Sequence, residues 1–550
     1  MNRATLIFFI LGYYTLLNGQ AAGPGQIDAS SEQICDNIKR HISFLGSDSL
    51  EGRATGSEGI KIAADYIREQ LKKSGIEPPS GHADYFQRIP MHSSAPKQES
   101  LLLLLCNGDT LKLNLNKDYL LNKTGSQTFI PAPVPMIFAG YGIHAPEYDY
   151  SDYQETDVSG KVVVFLDGEP ESDNPEFFKG ELNTIYSYLE SKQRTAIARG
   201  AVGSIMILNP EQKNEKRWHT LKKEYSFTDI NLAYHPMGHF SAILSPEMAL
   251  RILEKSGLPV NEILKMVKSG NLVPQGINCR LSFRGQFRER DFIDQNVIGI
   301  ITAESEKKDE YIAVTAHYDH LGIGPSVKGD SIYNGVMDNA IGTAALLELS
   351  KMFNKNRNKL KRSLIVIFFT GEEKGLLGSK YYNDFPVIPL YKTIANVNID
   401  GMAAFDNFKS VAGIGAELSD LNDILRVTAD KLNIGIQKIP AFFHEDEAYT
   451  RSDQISFANA GIPSILIMEG MDYINLTYEQ GLKLWMYWND DIYHSPFDDL
   501  NQYINFAAVE QHLIFLYNFI NDIAAAEQEI GWKKGLFYEN IRLRTKAEKR

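Results

Sequence analysis

The sequence predicts an α/β protein: a layered, mostly parallel sheet with helices on both faces, interrupted by an inserted α+β block. Three observations carry this. Residues 363–369, Ser-Leu-Ile-Val-Ile-Phe-Phe, hold an unbroken apolar run rich in β-branched and aromatic side chains, as in a strand buried on both faces. From Asn296 onward, strand-like stretches (296–301, 311–316, 363–369, 395–399, 463–468) alternate with helical ones (340–353, 420–432, 506–525). The chain of 550 residues is too long for one ordinary core, and the proline-bearing stretch Ile130 to Pro135 reads as a boundary.

In chain order, Met1-Asn2-Arg3 gives a short basic start, residues 6–17 are apolar, and small residues follow at Gly19, Ala21 and Ala22. This is the pattern of a secretory signal peptide, residues 1–21. No cysteine stands directly after the apolar run, so lipid attachment is unsupported; the mature protein is expected to be exported, periplasmic or extracellular, without stable membrane insertion. Residues 30–76 read as two helices, with Ile34, Ile38, Ile42 and Leu45 on one face and Ile62, Ala63, Tyr66, Ile67 and Leu71 on another. Between them lies the polar loop Leu50 to Ser57. Strands are expected at 85–90 and 101–105, the latter turning at Asn107-Gly108-Asp109 into 111–115. Short strands at 136–141, 160–166 and 203–208, with a helix at 191–201, make the α+β block, which lacks a cluster of catalytic residue types. The last stretch, 531–550, carries seven Lys/Arg and two Glu and reads as a basic, poorly ordered tail.

A formal charge of −13 argues against nucleic acid as a partner. The three cysteines, Cys35, Cys106 and Cys279, share no metal-type spacing. One disulfide at most could form, and they read as core residues.

The chemistry stands at the predicted strand ends. His317-Tyr318-Asp319 follows 311–316, Glu372-Glu373 follows 363–369, and Asp400 follows 395–399. Asp338 opens the helix at 340, and Tyr493-His494 lies further on. Carboxyl ends of parallel strands gather on one sheet edge, so these residues can meet. Two imidazoles with several carboxylates form the N/O donor set of zinc and related ions. One zinc takes about three protein ligands, and two metals sharing a carboxylate account for the surplus. A spare glutamate can then take a proton from the attacking water. Asp319 is spaced to receive the other ring N–H of His317. Singly, each residue also suits a structural use: a hydrogen-bonded histidine, or Asp338 and Asp400 as helix caps.

These motifs, His317-Tyr-Asp319, Asp338-Asn-Ala340, Thr370-Gly-Glu-Glu373, Asn398-Ile-Asp400 and Tyr493-His494, closely resemble those of the M28 family of co-catalytic zinc peptidases, in the family's order. The resemblance extends to Leu50-Glu-Gly-Arg53, to Arg451-Ser-Asp453 and to Phe457 through Pro463. It implies a three-layer αβα zinc-peptidase fold with a central mixed, mostly parallel sheet. The catalytic domain would comprise residues 22–125 and 288–530, interrupted by a protease-associated domain at 126–287, with 531–550 as the tail. It further implies two zinc ions per subunit. Asp338 would bridge them, His317 and Asp400 would complete one site, and Glu373 and His494 the other. Glu372 would be the general base, and Tyr493 would steady the oxyanion. Arg451 and Asp453 match a loop bordering the substrate cleft.

The implied reaction is removal of N-terminal residues from peptide substrates by a metal-bound hydroxide. The alternatives are a carboxypeptidase or dipeptidase of the same superfamily, with Arg451 meeting the substrate carboxylate, or a non-catalytic receptor-like relative. Phe442, Phe443, Trp485 and Trp488 are candidates for a hydrophobic subsite, and His444-Glu-Asp-Glu447 reads as an acidic surface loop.

Overall fold

The computed structural model describes residues 31–122, 128–154, 156–170, 174, 176–178, 184–209, 214–235, 238–256, 259–268, 274–438 and 449–549. The expected signal peptide and the acidic loop with Phe442 and Phe443 lie outside the described residues.

The main sheet has nine strands: β1 (Phe86–Pro96), β2 (Asp229–Leu232), β3 (Phe287–Ile301), β4 (Tyr311–His317), β5 (Ser363–Phe369), β6 (Thr393–Asn398), β7 (Ser410–Ile414), β8 (Gly435–Ile436) and β9 (Ser464–Glu469). Their spatial order is β2-β1-β3-β5-β4-β6-β9-β7-β8. The middle strands β5, β4, β6 and β9 are mutually parallel, and the antiparallel pairs lie outside them. The sheet is therefore mixed, and parallel where it matters for the site.

The apolar run of β5 behaves as its composition demands. Leu364, Val366 and Phe368 face one core cluster, and Ile365, Ile367 and Phe369 face another. The first cluster is covered by α1 (Ser31–Leu45), α2 (Glu58–Lys73), α3 (Ile341–Lys355), α5 (Leu421–Leu432) and α8 (Phe506–Ala525). The other face is covered by α4 (Leu377–Asp384), α6 (Gln454–Asn459) and α9 (Phe537–Ala547). The helix α7 (Tyr478–Tyr487) borders a cleft that Asp338 and Asp400 also line. Three layers result, with the core on both sides of β5 and β4.

The α3 segment is buried along most of its length between the sheet and α1, α2 and α8. Its polar letters find partners inside: the buried Glu348 carboxylate accepts both from Asn37 Nδ2, at 3.0 and 3.1 Å, and from Lys351.

A second sheet has eight strands, in the order Asp109–Leu113, Leu101–Cys106, Gln275–Arg284, Phe129–Phe138, Val162–Leu166, Gly203–Ile207, Phe240–Leu244 and Tyr119–Leu121. The hairpin at 101–113 thus belongs to the second sheet, and the chain leaves the main sheet after β1, well before residue 126. The boundary reading at 130–135 is overturned for a physical reason: Pro131, Pro133 and Pro135 lie on the exposed side of a strand paired through only one edge there, where no ladder N–H is missed. One strand of this block, β2, crosses back to pair with β1.

Cys106 and Cys279 face each other across two antiparallel strands and form a disulfide, with Cα atoms 4.2 Å apart, in place of two core thiols. Cys35 is a free, half-buried thiol. The expected poorly ordered tail is instead docked. Trp532 donates to the Gly461 carbonyl at 2.8 Å, Thr545 donates to the Ala460 carbonyl at 2.9 Å, and Arg542 is buried. Its charge count conceals an apolar face made by Trp532 and Tyr538. Among the described residues no helix is long and apolar enough to cross a membrane.

Candidate metal centre and cleft

The strand ends converge on Asp338. Its Oδ1 lies 3.2 Å from His317 Nε2, and its Oδ2 lies 3.1 Å from His494 Nε2. Asp400 Oδ1 stands 3.1 Å from the same nitrogen of His317, and Glu373 Oε2 stands 3.2 Å from the same nitrogen of His494. Two donor groups therefore share one carboxylate: His317, Asp338 and Asp400, and His494, Asp338 and Glu373. His494 Nε2 is buried and makes no hydrogen bond among the described residues, despite two carboxylate oxygens within 3.2 Å. A nitrogen so placed is aimed at the space between the oxygens, where a cation would sit. The donors fit a pair of divalent ions of the zinc type.

A residue absent from the sequence reading joins the second group. His320 is fully buried, and its Nδ1 is 2.6 Å from Glu373 Oε1 and 3.9 Å from Asp338 Oδ2. It ends the run His317-Tyr-Asp-His320, and a second histidine three positions after a strand-end histidine was the available signal.

The ligand-bearing loops are tied together from outside the site. Arg53, buried in the Leu50–Ser57 loop, donates to the carbonyls of Tyr318 (2.9 Å), Asn334 (2.6 Å), Gly335 (2.9 Å) and Leu45. It thereby joins the turn after β4 to the turn before Asp338. Asp498 accepts the backbone N–H groups of Met337 (2.8 Å) and Asp338 (3.0 Å). Asn339 donates to the Ile399 carbonyl and accepts from Gly401 N–H, locking the Asp400 turn to the Asp338 turn. Gly335 is in the left-handed region, φ 60°, and a Cβ there would come within 2.4 Å of the His320 ring.

Asp319 acts differently from its expected role. His317 Nδ1 lies 3.2 Å from the Asp319 backbone oxygen and 3.7 Å from its carboxylate. The carboxylate instead accepts from Glu372 N–H at 3.1 Å, Glu373 N–H at 3.4 Å and the Thr55 hydroxyl at 3.1 Å.

The site's electrostatics separate the two adjacent glutamates. Burial raises the Glu372 carboxyl well above the usual range; His317 opposes this, while Asp400, Glu373 and Asp453 reinforce it. Glu373 suffers burial too, but His494 and His320 hold its carboxyl well below the usual range. Asp338 is likewise held low against its burial by His317 and His494. Neighbouring carboxylates with opposite tendencies suit opposite roles, one holding a cation and one handling a proton.

Beside this centre opens a cleft of roughly 570 Å³. Glu372, Asp400, Arg451, Tyr493 and His494 line it, as do Trp485 and Trp488. Tyr493 stacks on His494 with centroids 3.8 Å apart. Arg451 is exposed and lines the cleft. Asp453 is not: it is buried at the start of α6, which packs it inward, and its charge acts on Glu372 from behind.

An αβα sheet with clustered imidazoles and carboxylates at the ends of its parallel strands defines a metallohydrolase-like class of site. Residues 296–520 match the model of Peptidase family M28. Aminopeptidase YwaD of Bacillus subtilis (strain 168) is 30% identical over 147 residues, 26% of this chain and 29% of that protein. Leupeptin-inactivating enzyme 1 of Streptomyces exfoliatus is 31% identical over 186 residues, 32% of this chain and 39% of that protein. The chain thus spans less than half the length of these relatives. A solved structure of an aminopeptidase from Aneurinibacillus sp. strain AM-1 shares the fold, with a TM-score of 0.53 and 18% identity, covering 92% of this chain and 98% of that one.

Proposed function

We propose that this protein is an exported zinc exopeptidase, an aminopeptidase that removes N-terminal residues from peptides. The observation that carries the reading is Asp338, whose two oxygens each face a different histidine, 3.2 Å from His317 and 3.1 Å from His494. That arrangement supports a count of two metals, with His317 and Asp400 on one and Glu373 and His494 on the other. The relative named as an aminopeptidase supports peptide substrates, and the donor set of imidazoles and carboxylates supports zinc.

Bound metals would supply an activated water and polarise the scissile carbonyl. The chain's own residues do the rest. Glu372 lines the cleft beside Asp400 and, with its raised proton affinity, takes the water's proton and passes it to the leaving amine. Asp319 fixes the Glu372 backbone through its N–H. Tyr493, held against His494, offers its hydroxyl to the developing oxyanion. The aromatic wall with Trp485 and Trp488 excludes water from one side.

The N-terminal pattern and the Cys106–Cys279 disulfide support export to an oxidising compartment. The second sheet unit, flanked by β1 and β3, is read as the protease-associated insertion.

A carboxypeptidase is the second reading, because Arg451 lines the same cleft and could meet a substrate carboxylate. The deciding experiment is hydrolysis of aminoacyl-nitroanilides beside their N-acetylated twins by the zinc-loaded protein, with Glu372→Ala as blank. Cleavage of the free-amine forms alone is the expected result. Cleavage of neither, together with release of C-terminal residues from N-blocked peptides, establishes the carboxypeptidase instead.

A further inference from the structure

Glu469 is the last residue of β9 and is 7% exposed. β9 pairs with β6 through Asn398 and Leu466, so its end runs beside the turn that carries Asp400. Glu469 lines the same cleft as the metal centre, in company with Met402, Phe405, Trp485 and His512. Ring contacts lead from this company to the centre: Phe405 to Trp485 at 5.8 Å, Trp485 to Trp488 at 5.9 Å, Trp488 to Tyr493 at 5.2 Å, and Tyr493 to His494 at 3.8 Å. One wall of the cleft is therefore aromatic and apolar, with metal-binding groups in one part and a buried carboxyl in another, and Lys380 and Arg451 line it as well.

Among the described residues, Glu469 has no ion pair with a lysine or arginine, and no cation acts on its charge. His512 does not supply one. Its Nδ1 accepts the Ala403 N–H at 3.1 Å, and burial pushes the ring down to about 4, so it is neutral near pH 7. Burial pushes the Glu469 carboxyl up to about 7. A carboxylate in such a place is costly until a cation joins it, and then the same low polarity strengthens the pair.

We propose that Glu469 makes the side-chain subsite of this cleft selective for a basic N-terminal residue, lysine or arginine. The inference rests on the aminopeptidase reading and names its substrate class. The aliphatic stem of either residue packs along Met402 and Phe405, and its cation lies against aromatic faces and ends on the Glu469 carboxylate. Arginine adds a forked pair of donors to that carboxylate.

The test compares lysyl-, arginyl- and norleucyl-nitroanilides, norleucine having the lysine stem without its charge. The zinc-loaded protein is expected to give kcat/KM at least about tenfold higher for the two basic substrates. Glu469→Gln, which keeps the shape, should cut that advantage about tenfold or more while norleucyl hydrolysis stays within about twofold. Norleucine preferred by the wild type, or all three substrates falling alike in Glu469→Gln with unchanged thermal stability, overturns the proposal. Calorimetric titration of lysinamide and norleucinamide reads the pocket independently of turnover. If no nitroanilide is cleaved but lysinamide binds tighter through Glu469, the aminopeptidase reading falls and the cation pocket stands. Equal binding of the two amides, or none, overturns the pocket itself.

Discussion

The Asp319 carboxylate accepts the backbone N–H of Glu372 at 3.1 Å, so the base proposed for the reaction is positioned through its main chain by the turn that follows β4. The same carboxylate holds Thr55 of the Leu50–Ser57 loop. Asp319 is thus a joint between the turn after β4, the turn after β5 and the Leu50–Ser57 loop, and only at 3.7 Å a neighbour of the His317 ring. Asp319→Ala is expected to lower kcat by about 10–100-fold, the usual cost of removing support from behind a metal site. Because the metal ligands themselves are untouched, most of the loss should appear in kcat and little in zinc content. The paired measurement is steady-state kinetics with zinc analysis after dialysis; a large loss of zinc with normal kcat in the residual holoenzyme would assign Asp319 to His317 instead.

Glu372 and Glu373 are adjacent, yet only Glu373 approaches the histidines, with Oε2 3.2 Å from His494 and Oε1 2.6 Å from His320. Glu372→Ala should therefore keep both metals and lose about 10²–10⁴-fold in kcat, the range of a general acid–base group. Glu373→Ala should lose metal as well as activity. Metal analysis of the two variants side by side separates the roles, and normal turnover by Glu372→Ala removes it as the base.

Among the described residues, Asp338 is the sole carboxylate with an oxygen toward each of His317 and His494, at 3.2 and 3.1 Å. Asp338→Ala is expected to empty both metal positions, whereas Asp400→Ala should empty only the one shared with His317. Titration of the apoprotein with zinc, followed by calorimetry, should show two binding events in the wild type, one in Asp400→Ala and none of comparable affinity in Asp338→Ala. Two retained events in Asp338→Ala would sink the bridging assignment.

The parts of this centre that sequence exposes are those tied to strand ends. An unbroken apolar run such as Leu364 to Phe369, rich in β-branched and aromatic side chains, reads as a doubly buried strand, and the residues just after it then stand at the sheet edge with the other strand ends. Glu373, His317 and Asp400 were legible for that reason. Arg53 was visible as part of a motif, but its function was not, because four backbone carbonyls as acceptors leave no pattern in the letters. Glu469 was hidden in a strand that reads simply as apolar, and His320 was overshadowed by the motif residues before it. The second sheet's true start at Leu101 was obscured because a hairpin pairs with partners more than 160 residues later, as Cys106 does with Cys279.

Stability should respond to acid through a histidine far from the centre. His41 of α1 is buried, with Nδ1 2.7 Å from the Tyr66 hydroxyl of α2, and burial, helped by Arg40 and Lys351, pushes it down to about 4. The unfolded chain protonates this ring near its ordinary value of about 6.5, so above that pH neither state carries the extra proton and the fold keeps its full stability. As pH falls from about 6.5 toward 4, only the unfolded state gains the proton, and the fold loses on the order of 3 kcal/mol through this group. His512, also pushed down to about 4 by burial, acts in the same direction. His41→Gln cannot titrate and can still reach Tyr66, so it should be less stable than the wild type at pH 7 but lose less on acidification. Urea midpoints of metal-free wild type and variant at pH 7 and pH 4.5 check this with the loss of metal removed from both. The gap between them should narrow or reverse at the lower pH; parallel loss in the two proteins would place the acid sensitivity elsewhere in the fold.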